Sequence, residues 1–389
     1  MSTAELKDLF QLNPKITFLN HGSFGACPLP VFQDYQQWQV KLEQDPIQFI
    51  TKTGVEAYRR SKEVFAEKFH CSVDDFFLTP NPSTAFNTVI KSLELEAGDE
   101  ILSTDLEYGA MDKTWDFRCM QTGAKYIRQH IPLPISSKED FLAHFWSGLT
   151  NRTKVIFISH ITSATALILP VKEICEKANK LGLITLIDGA HVPGHIPLNL
   201  DLLNADYYTG ALHKWYLAPK GCSFLHVKKQ KQDLLDPLIV SWGYASEFPS
   251  HSQFLDYHEY TGTRDSSAFL CLPSLADFWE KQQWKQKTQE AKEILHRWYP
   301  LFCKLLETKP ICPVNTDFLG QICSIPISTP LPFELKEVLY NQYNIEIPIT
   351  NRAKDFFIRI SFQAYNQEDE LAYLYESLAA LKSEGKYLN

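Results

Sequence analysis

The stretch VIFISHI (155–161) is apolar at nearly every position, the composition of a strand covered on both faces. Strands of that kind belong to parallel sheets sandwiched between helices. Working outward from it in both directions, the same grammar recurs. Short β-rich runs stand at 76–80, 100–104, 125–131, 154–160, 183–188, 205–209 and 222–227. Helical patterns lie between several of them, at 83–95, 110–122, 139–149 and 171–181. A hydrophobic period that switches from 2 to 3.6 and back predicts βαβ units. The expectation is an α/β fold with a mostly parallel seven-stranded sheet flanked by helices.

Beyond about residue 250 the grammar changes. A charged, helix-patterned stretch predicts one long helix over 275–306, followed by strand-like runs at 321–327, 345–348 and 356–362. Helices are expected near 332–343 and 367–382. This reads as a smaller α+β unit with its own sheet. The expected division is a short N-terminal segment (1–30), a large domain (31–250), and a C-terminal small domain with its connecting helix (251–389).

The whole chain has 389 residues, room for about two domains, and a formal charge of −8. An acidic chain lacks the positive field that draws proteins to nucleic acid, so no DNA or RNA partner is expected. The nine cysteines are scattered and never form CxxC, which argues against a disulfide framework or zinc finger and for a reducing compartment. The opening residues carry no leader pattern, and no apolar run approaches the roughly 18 residues of a membrane span. A soluble, cytoplasmic protein without a membrane partner is the expectation.

Familiar phosphate and metal motifs are absent. There is no GxxxxGK[ST], no GxGxxG after a strand and no HExxH, so no catalytic metal is expected. HGSFG (21–25) is one residue short of a GxSxG elbow. What remains is a set of polar residues at the ends of strand-like runs. In LITLIDGAH (183–191), Asp188 closes an apolar run; in isolation, Asp-Gly there is an ordinary turn. In YYTGALHKW (207–215), Lys214 follows the next run; a lone lysine is usually a solvated charge. In NPSTAFNTVI (81–90), Ser83 and Thr84 open a helix directly after a strand, which by itself is only a good N-cap. Ligands of open α/β sheets bind outside the carboxyl ends of the strands, where all three stretches fall. Pyridoxal phosphate needs a lysine for a Schiff base, an acid beside its ring nitrogen and amides for its phosphate. The three stretches together supply that set.

Eight stretches, in order, resemble the class V aminotransferase family of fold-type I pyridoxal-phosphate enzymes, closest to its isopenicillin N epimerase-like branch. They are LNHGSFG (19–25), NPSTAFNTV (81–89), LEYGAMDKTW (106–115), ISHITSATALILPV (158–171), IDGAHVPG (187–194), YYTGALHKW, YTGTRDSSA (260–268) and RISFQAYN (359–366). The resemblance implies that Lys214 binds the cofactor covalently and Asp188 pairs its ring nitrogen. It also implies that Tyr108 lies on the ring face, that Ser83, Thr84 and His213 hold the phosphate, and that Ser163 and His191 lie near the ring hydroxyl. Thr263 would reach the phosphate of a neighbouring subunit, so the active form would be a homodimer with a shared site.

Arg359 is legible from pattern as well. In FFIRISF (356–362), alternation puts Phe356, Ile358, Ile360 and Phe362 on one face and Arg359 on the other. A solvated edge-strand arginine fits that pattern equally. The resemblance implies instead a guanidinium that grips the carboxylate of an amino-acid substrate. Two departures stand out. Many relatives read Asn-Ala-Thr where this chain has Asn81-Pro82-Ser83, and the proline removes an amide donor. The segment 324–359 holds no cysteine, which disfavours the persulfide chemistry of cysteine desulfurases. The expected function is therefore chemistry at the α-carbon of an amino acid or a derivative. Racemisation, transamination and β-elimination of a sulfur substituent remain open, with a non-catalytic cofactor-binding protein as the outlying reading.

Overall fold

The computed structural model describes residues 3–388. Its strands in chain order are β1 (Thr17–Phe18), β2 (Phe76–Thr79), β3 (Glu100–Thr104), β4 (Lys125–Gln129), β5 (Thr153–Ser159) and β6 (Ile184–Asp188). There follow β7 (Tyr207–Ala211), β8 (Ser223–Val227), β9 (Ile322–Ile327), β10 (Ile345–Glu346), β11 (Ile349–Arg352) and β12 (Asp355–Ser361). Seven of them form one sheet in the order β2-β8-β7-β6-β5-β3-β4. Only β8 runs against the others, as the antiparallel pairs β2–β8 and β7–β8 require. The mostly parallel seven-stranded α/β sheet expected from the sequence is the one observed.

Period-2 alternation explains why this sheet is buried on both faces. Ile156 and Ile158 of β5 enter one hydrophobic cluster, while Val155 and Phe157 enter another. Leu78, Leu102, Ile187 and Tyr208 repeat the first pattern, and Phe77, Ile101, Leu186 and Tyr207 the second. Helices Pro82–Ser92, Gly109–Thr122 and Val171–Lys180 follow β2, β3 and β5 respectively. Among the described residues no helix is long and apolar enough to cross a membrane.

The second sheet is antiparallel, in the order β11-β12-β9. Three features depart from expectation here. The long helix is two, Leu272–Lys281 and Trp284–Leu305, because Gln283 takes the left-handed conformation (φ 51°). The break buries the Trp284 ring against Phe10 and Phe278, and the polar run around it masks the joint. The run 345–348 does not join the small sheet. Its first residues form β10, which pairs in parallel with β1, and the unanticipated β11 takes the sheet position. Finally, β12 is the inner strand, so Arg359 sits on no edge.

The pairing of β1 with β10 settles where the N-terminal segment goes. An isolated bridge joins Asn20 to Ser361, and Ser361 N–H donates to the Leu19 carbonyl at 2.9 Å. The chain's start is thus sewn to the C-terminal sheet and lies over the carboxyl ends of the large one.

Candidate active site

Each strand end delivers one chemical group. At the end of β6, Asp188 stands in register with Ser159 on β5 and Thr209 on β7. Its Oδ1 accepts the Ala190 N–H at 2.8 Å, and its other oxygen has no protein partner among the described residues. Burial raises its proton affinity, against the Ala190 hydrogen bond and the charge of Lys214. Lys214 lies in the turn after β7. Burial, then the guanidinium of Arg359, push its amine down to about 8, with Asp188 opposing. A free amine is therefore accessible near neutral pH.

The lysine turn is held from above by the N-terminal segment. His21 Nε2–H donates to the Lys214 carbonyl at 3.1 Å, and Tyr365 O–H donates to His21 Nδ1 at 2.8 Å. Gly25 passes close over the same turn with φ 69°, where a Cβ would overlap the carbonyl oxygen of His213. Only glycine suits both demands.

After β2, Asn81 caps helix Pro82–Ser92. Its Oδ1 accepts the Thr84 N–H at 2.9 Å and the Thr84 hydroxyl at 3.2 Å. Pro82 takes the first helical position, where its missing N–H costs no intrahelical bond and its fixed φ favours the helix start. The proline thus leaves the helix start intact, while its missing N–H leaves one donor fewer at that end. Thr84 departs from expectation: both of its donors serve the cap, and it does not line the cavity.

That cavity, of about 280 Å³, brings together Ser83, Tyr108, Ser163, Asp188, His191, His213, Lys214 and Arg359. Thr263 is not among them. It lines a separate depression with Tyr58, Glu259 and Arg264. Tyr108 is half exposed at the start of helix Gly109–Thr122. His213 Nδ1–H donates to the Cys222 carbonyl at 3.1 Å, and burial, then Lys214, hold the ring neutral with its pKa lowered to about 4. It would donate to an anion from Nε2 only when protonated, a state that a phosphate's own charge favours.

Arg359 is buried. Nη1 donates to the Ser163 carbonyl at 2.6 Å and Nη2 to the Ser23 hydroxyl at 2.8 Å, while Nε is buried without a partner. Buried cations are usually fully paired, so the orphaned Nε argues for an anionic ligand.

Three contributors were not singled out from the sequence. Ser23 lies in HGSFG, a stretch that carries the family resemblance without marking this serine for a role. Ser159 ends β5 beside Asp188. Glu107 is the least expected: its carboxyl accepts the Ser159 N–H at 2.9 Å and the Ser159 hydroxyl at 2.6 Å, and pairs with the Thr104 hydroxyl at 2.6 Å. Burial pushes Glu107 up to about 8, with Asp188 adding to the shift against the Ser159 and Thr104 hydrogen bonds. Nothing local distinguishes it from Asp105, whose carboxylate pairs with Arg352 and His130.

The residues fit pyridoxal phosphate on the structure's own terms. There is an acid with one unpaired oxygen, a lysine tuned toward the free amine, an exposed aromatic face and a helix N-terminus carrying Ser83. A parallel sheet offering an acid and a lysine at adjacent strand ends, under an arginine from a second sheet, defines the fold-type I architecture. The family model "Aminotransferase class-V" matches residues 31–374, and the chain belongs to that family of pyridoxal-phosphate-dependent enzymes. The isopenicillin N epimerase of Amycolatopsis lactamdurans is 30% identical over 399 aligned residues, covering 97% of this chain and 98% of that protein. A probable chloroplastic L-cysteine desulfhydrase of Arabidopsis thaliana is 25% identical, covering 99% and 87%. The cysteine desulfurase of Thermococcus onnurineus superposes with a TM-score of 0.82 at 17% identity, covering 97% of each chain.

Proposed function

We propose that this chain binds pyridoxal phosphate in the cavity around Lys214 and acts at the α-carbon of an amino acid or amino-acid-derived substrate, in the manner of an isopenicillin N epimerase. The observation that carries the reading is the convergence of Lys214, Asp188 and Arg359 on one cavity at the strand ends. When bound, the cofactor would draw electrons away from the substrate's α-carbon, so that the α-proton can leave.

The chain's own groups have distinct parts. Lys214 would hold the cofactor through its free amine, and that amine is the group placed to take or return the α-proton. Asp188 would pair with the ring nitrogen and favour its protonated form, the cation in turn favouring the carboxylate. Tyr108 covers a ring face. Ser83, the helix N-terminus to which Thr84 belongs, and His213 hold the phosphate. His191 and Ser163 sit toward the ring hydroxyl. Arg359 binds the substrate carboxylate through its planar fork. Thr263, remote from its own chain's cavity, would complete the phosphate site of a partner in a homodimer.

A second reading is C–S lyase chemistry by β-elimination, supported by the desulfhydrase relatives at 24% and 25% identity. It uses the same lysine and arginine. Feeding a panel of L- and D-amino acids to the purified protein while following the cofactor spectrum, product chirality and pyruvate decides between them. Inverted substrate supports the first reading, and pyruvate with ammonia replaces it by the second. A colourless protein inert to every substrate overturns both.

A further inference from the structure

Two buried histidines and a buried tryptophan stand between the start of β9 and the amine of Lys214, and chemistry sets the direction of each hydrogen bond. The backbone N–H of Gln321 can only donate, and it reaches Nε2 of His195 at 2.6 Å. His195 therefore carries its proton on Nδ1 and donates to the His191 carbonyl at 2.9 Å. Its ring stacks on Trp215, with centroids 4.0 Å apart and 17° between the planes, which fixes the indole. The Trp215 indole N–H is also donor only, and it lies 3.3 Å from Nδ1 of His191. That leaves the His191 proton on Nε2, 3.2 Å from Nζ of Lys214. Burial keeps both rings neutral, since a second proton on either would need a second acceptor; His195 is pushed down to about 3 and His191 well below its ordinary value.

We propose that Trp215 is a positioning residue: by occupying Nδ1 of His191 it holds that ring as a donor toward the Lys214 amine. A donor facing the amine can be accepted only by an unprotonated nitrogen, so the arrangement favours the nucleophilic form of the lysine. It also takes His191 out of contention as a base at that atom, because its lone pair is already used. The other groups facing Lys214 are Arg359, which disfavours its charge, Asp188, which favours it, and the neutral His213. The inference rests on the reading of Lys214 as the reactive lysine, but its test needs no cofactor.

The test is competitive acetylation of the full-length protein as a function of pH, with the Lys214 peptide quantified by mass spectrometry. Trp215→Phe keeps an aromatic ring beside His195 and removes the N–H donor, at the cost of some buried volume. It should raise the midpoint of Lys214 reactivity by about one pH unit, a tenfold change in proton affinity. In a His191→Ala background no ring remains for the indole to hold, so adding Trp215→Phe should leave that midpoint unchanged. Equal shifts in both backgrounds would mean a merely structural tryptophan, and no shift in the otherwise wild-type chain would also overturn the proposal. Neutron diffraction of the unaltered protein decides independently of how the variants fold. A deuteron on Nε2 of His191 supports the assignment and one on Nδ1 refutes it. Should the protein take up no pyridoxal phosphate while the midpoint still responds to Trp215, the cofactor reading alone has failed.

Discussion

From the second sheet, Arg359 reaches across to the turn after β5 and donates from Nη1 to the carbonyl oxygen of Ser163 at 2.6 Å. A flexible cation becomes a fixed fork by that contact, together with the Ser23 hydroxyl. Arg359→Lys keeps a charge but loses the fork. We expect KM for the amino-acid substrate to rise about 10- to 100-fold, the range of one or two charge-assisted hydrogen bonds, with the cofactor spectrum unchanged. A spectrum lost along with activity would point instead to a damaged cofactor site.

Lys214→Ala should abolish the covalent chromophore while leaving a folded protein that still binds the cofactor loosely. In the unaltered chain, the rate of covalent capture should climb about tenfold per pH unit below 8 and level off above it, because only the free amine attacks. Stopped-flow absorbance measures both. A borohydride-reducible adduct on another lysine would move the assignment elsewhere.

Glu107 gives a stability prediction with a definite sign. Its folded pKa of about 8 lies above the ordinary carboxyl value of 4.5, so the folded state holds the extra proton between those values. That contribution is fully present below about pH 4.5 and is lost as pH rises toward 8. Glu107→Gln cannot ionise and should be the more stable chain at high pH. The gain over wild type should grow with pH to an order of a few kcal/mol, read from melting temperatures at several pH values. A difference that stays flat with pH would show that Glu107 remains charged throughout.

Burial pushes the thiols of all nine cysteines up, Cys27 and Cys303 to about 12 among them. None lines the cavity. With L-cysteine as substrate we expect no protein persulfide, and any sulfide released should appear with pyruvate and ammonia. Stoichiometric alanine with a labelled persulfide on any cysteine would contradict this.

The proposal that Thr263 serves a partner's site can be tested by complementation. Mixing Lys214→Ala with Thr263→Ala chains should yield mixed dimers in which one site has both native residues and the other has both lesions. Half of the mixed-dimer sites should then bind cofactor with wild-type affinity. If Thr263 served its own chain, every such site would be impaired.

The acid and the lysine were legible because Asp188 closes one apolar strand-like run and Lys214 follows the next. Arg359 was legible as a residue but not as an inner-strand one, since the β11 that covers it carries no strong strand pattern. Ser83 and Thr84 looked equivalent, and only the Asn81 cap, which claims both donors of Thr84, separates them. Ser23 and His21 owe their positions to the pairing of β1 with β10, a contact between residues more than 300 apart that no local pattern encodes. The break at Gln283 was hidden because helix and joint share the same polar residues.

That β1–β10 pairing has a consequence for synthesis on the ribosome. Ser23, which orients Arg359, is made more than 300 residues ahead of the arginine and of the strand that anchors its own segment. At about 5–20 residues per second, the early half of the site waits roughly 15–70 s for its counterpart. The nascent chain can complete its large sheet well before then, but the cavity gains its guanidinium only when Arg359 leaves the exit tunnel.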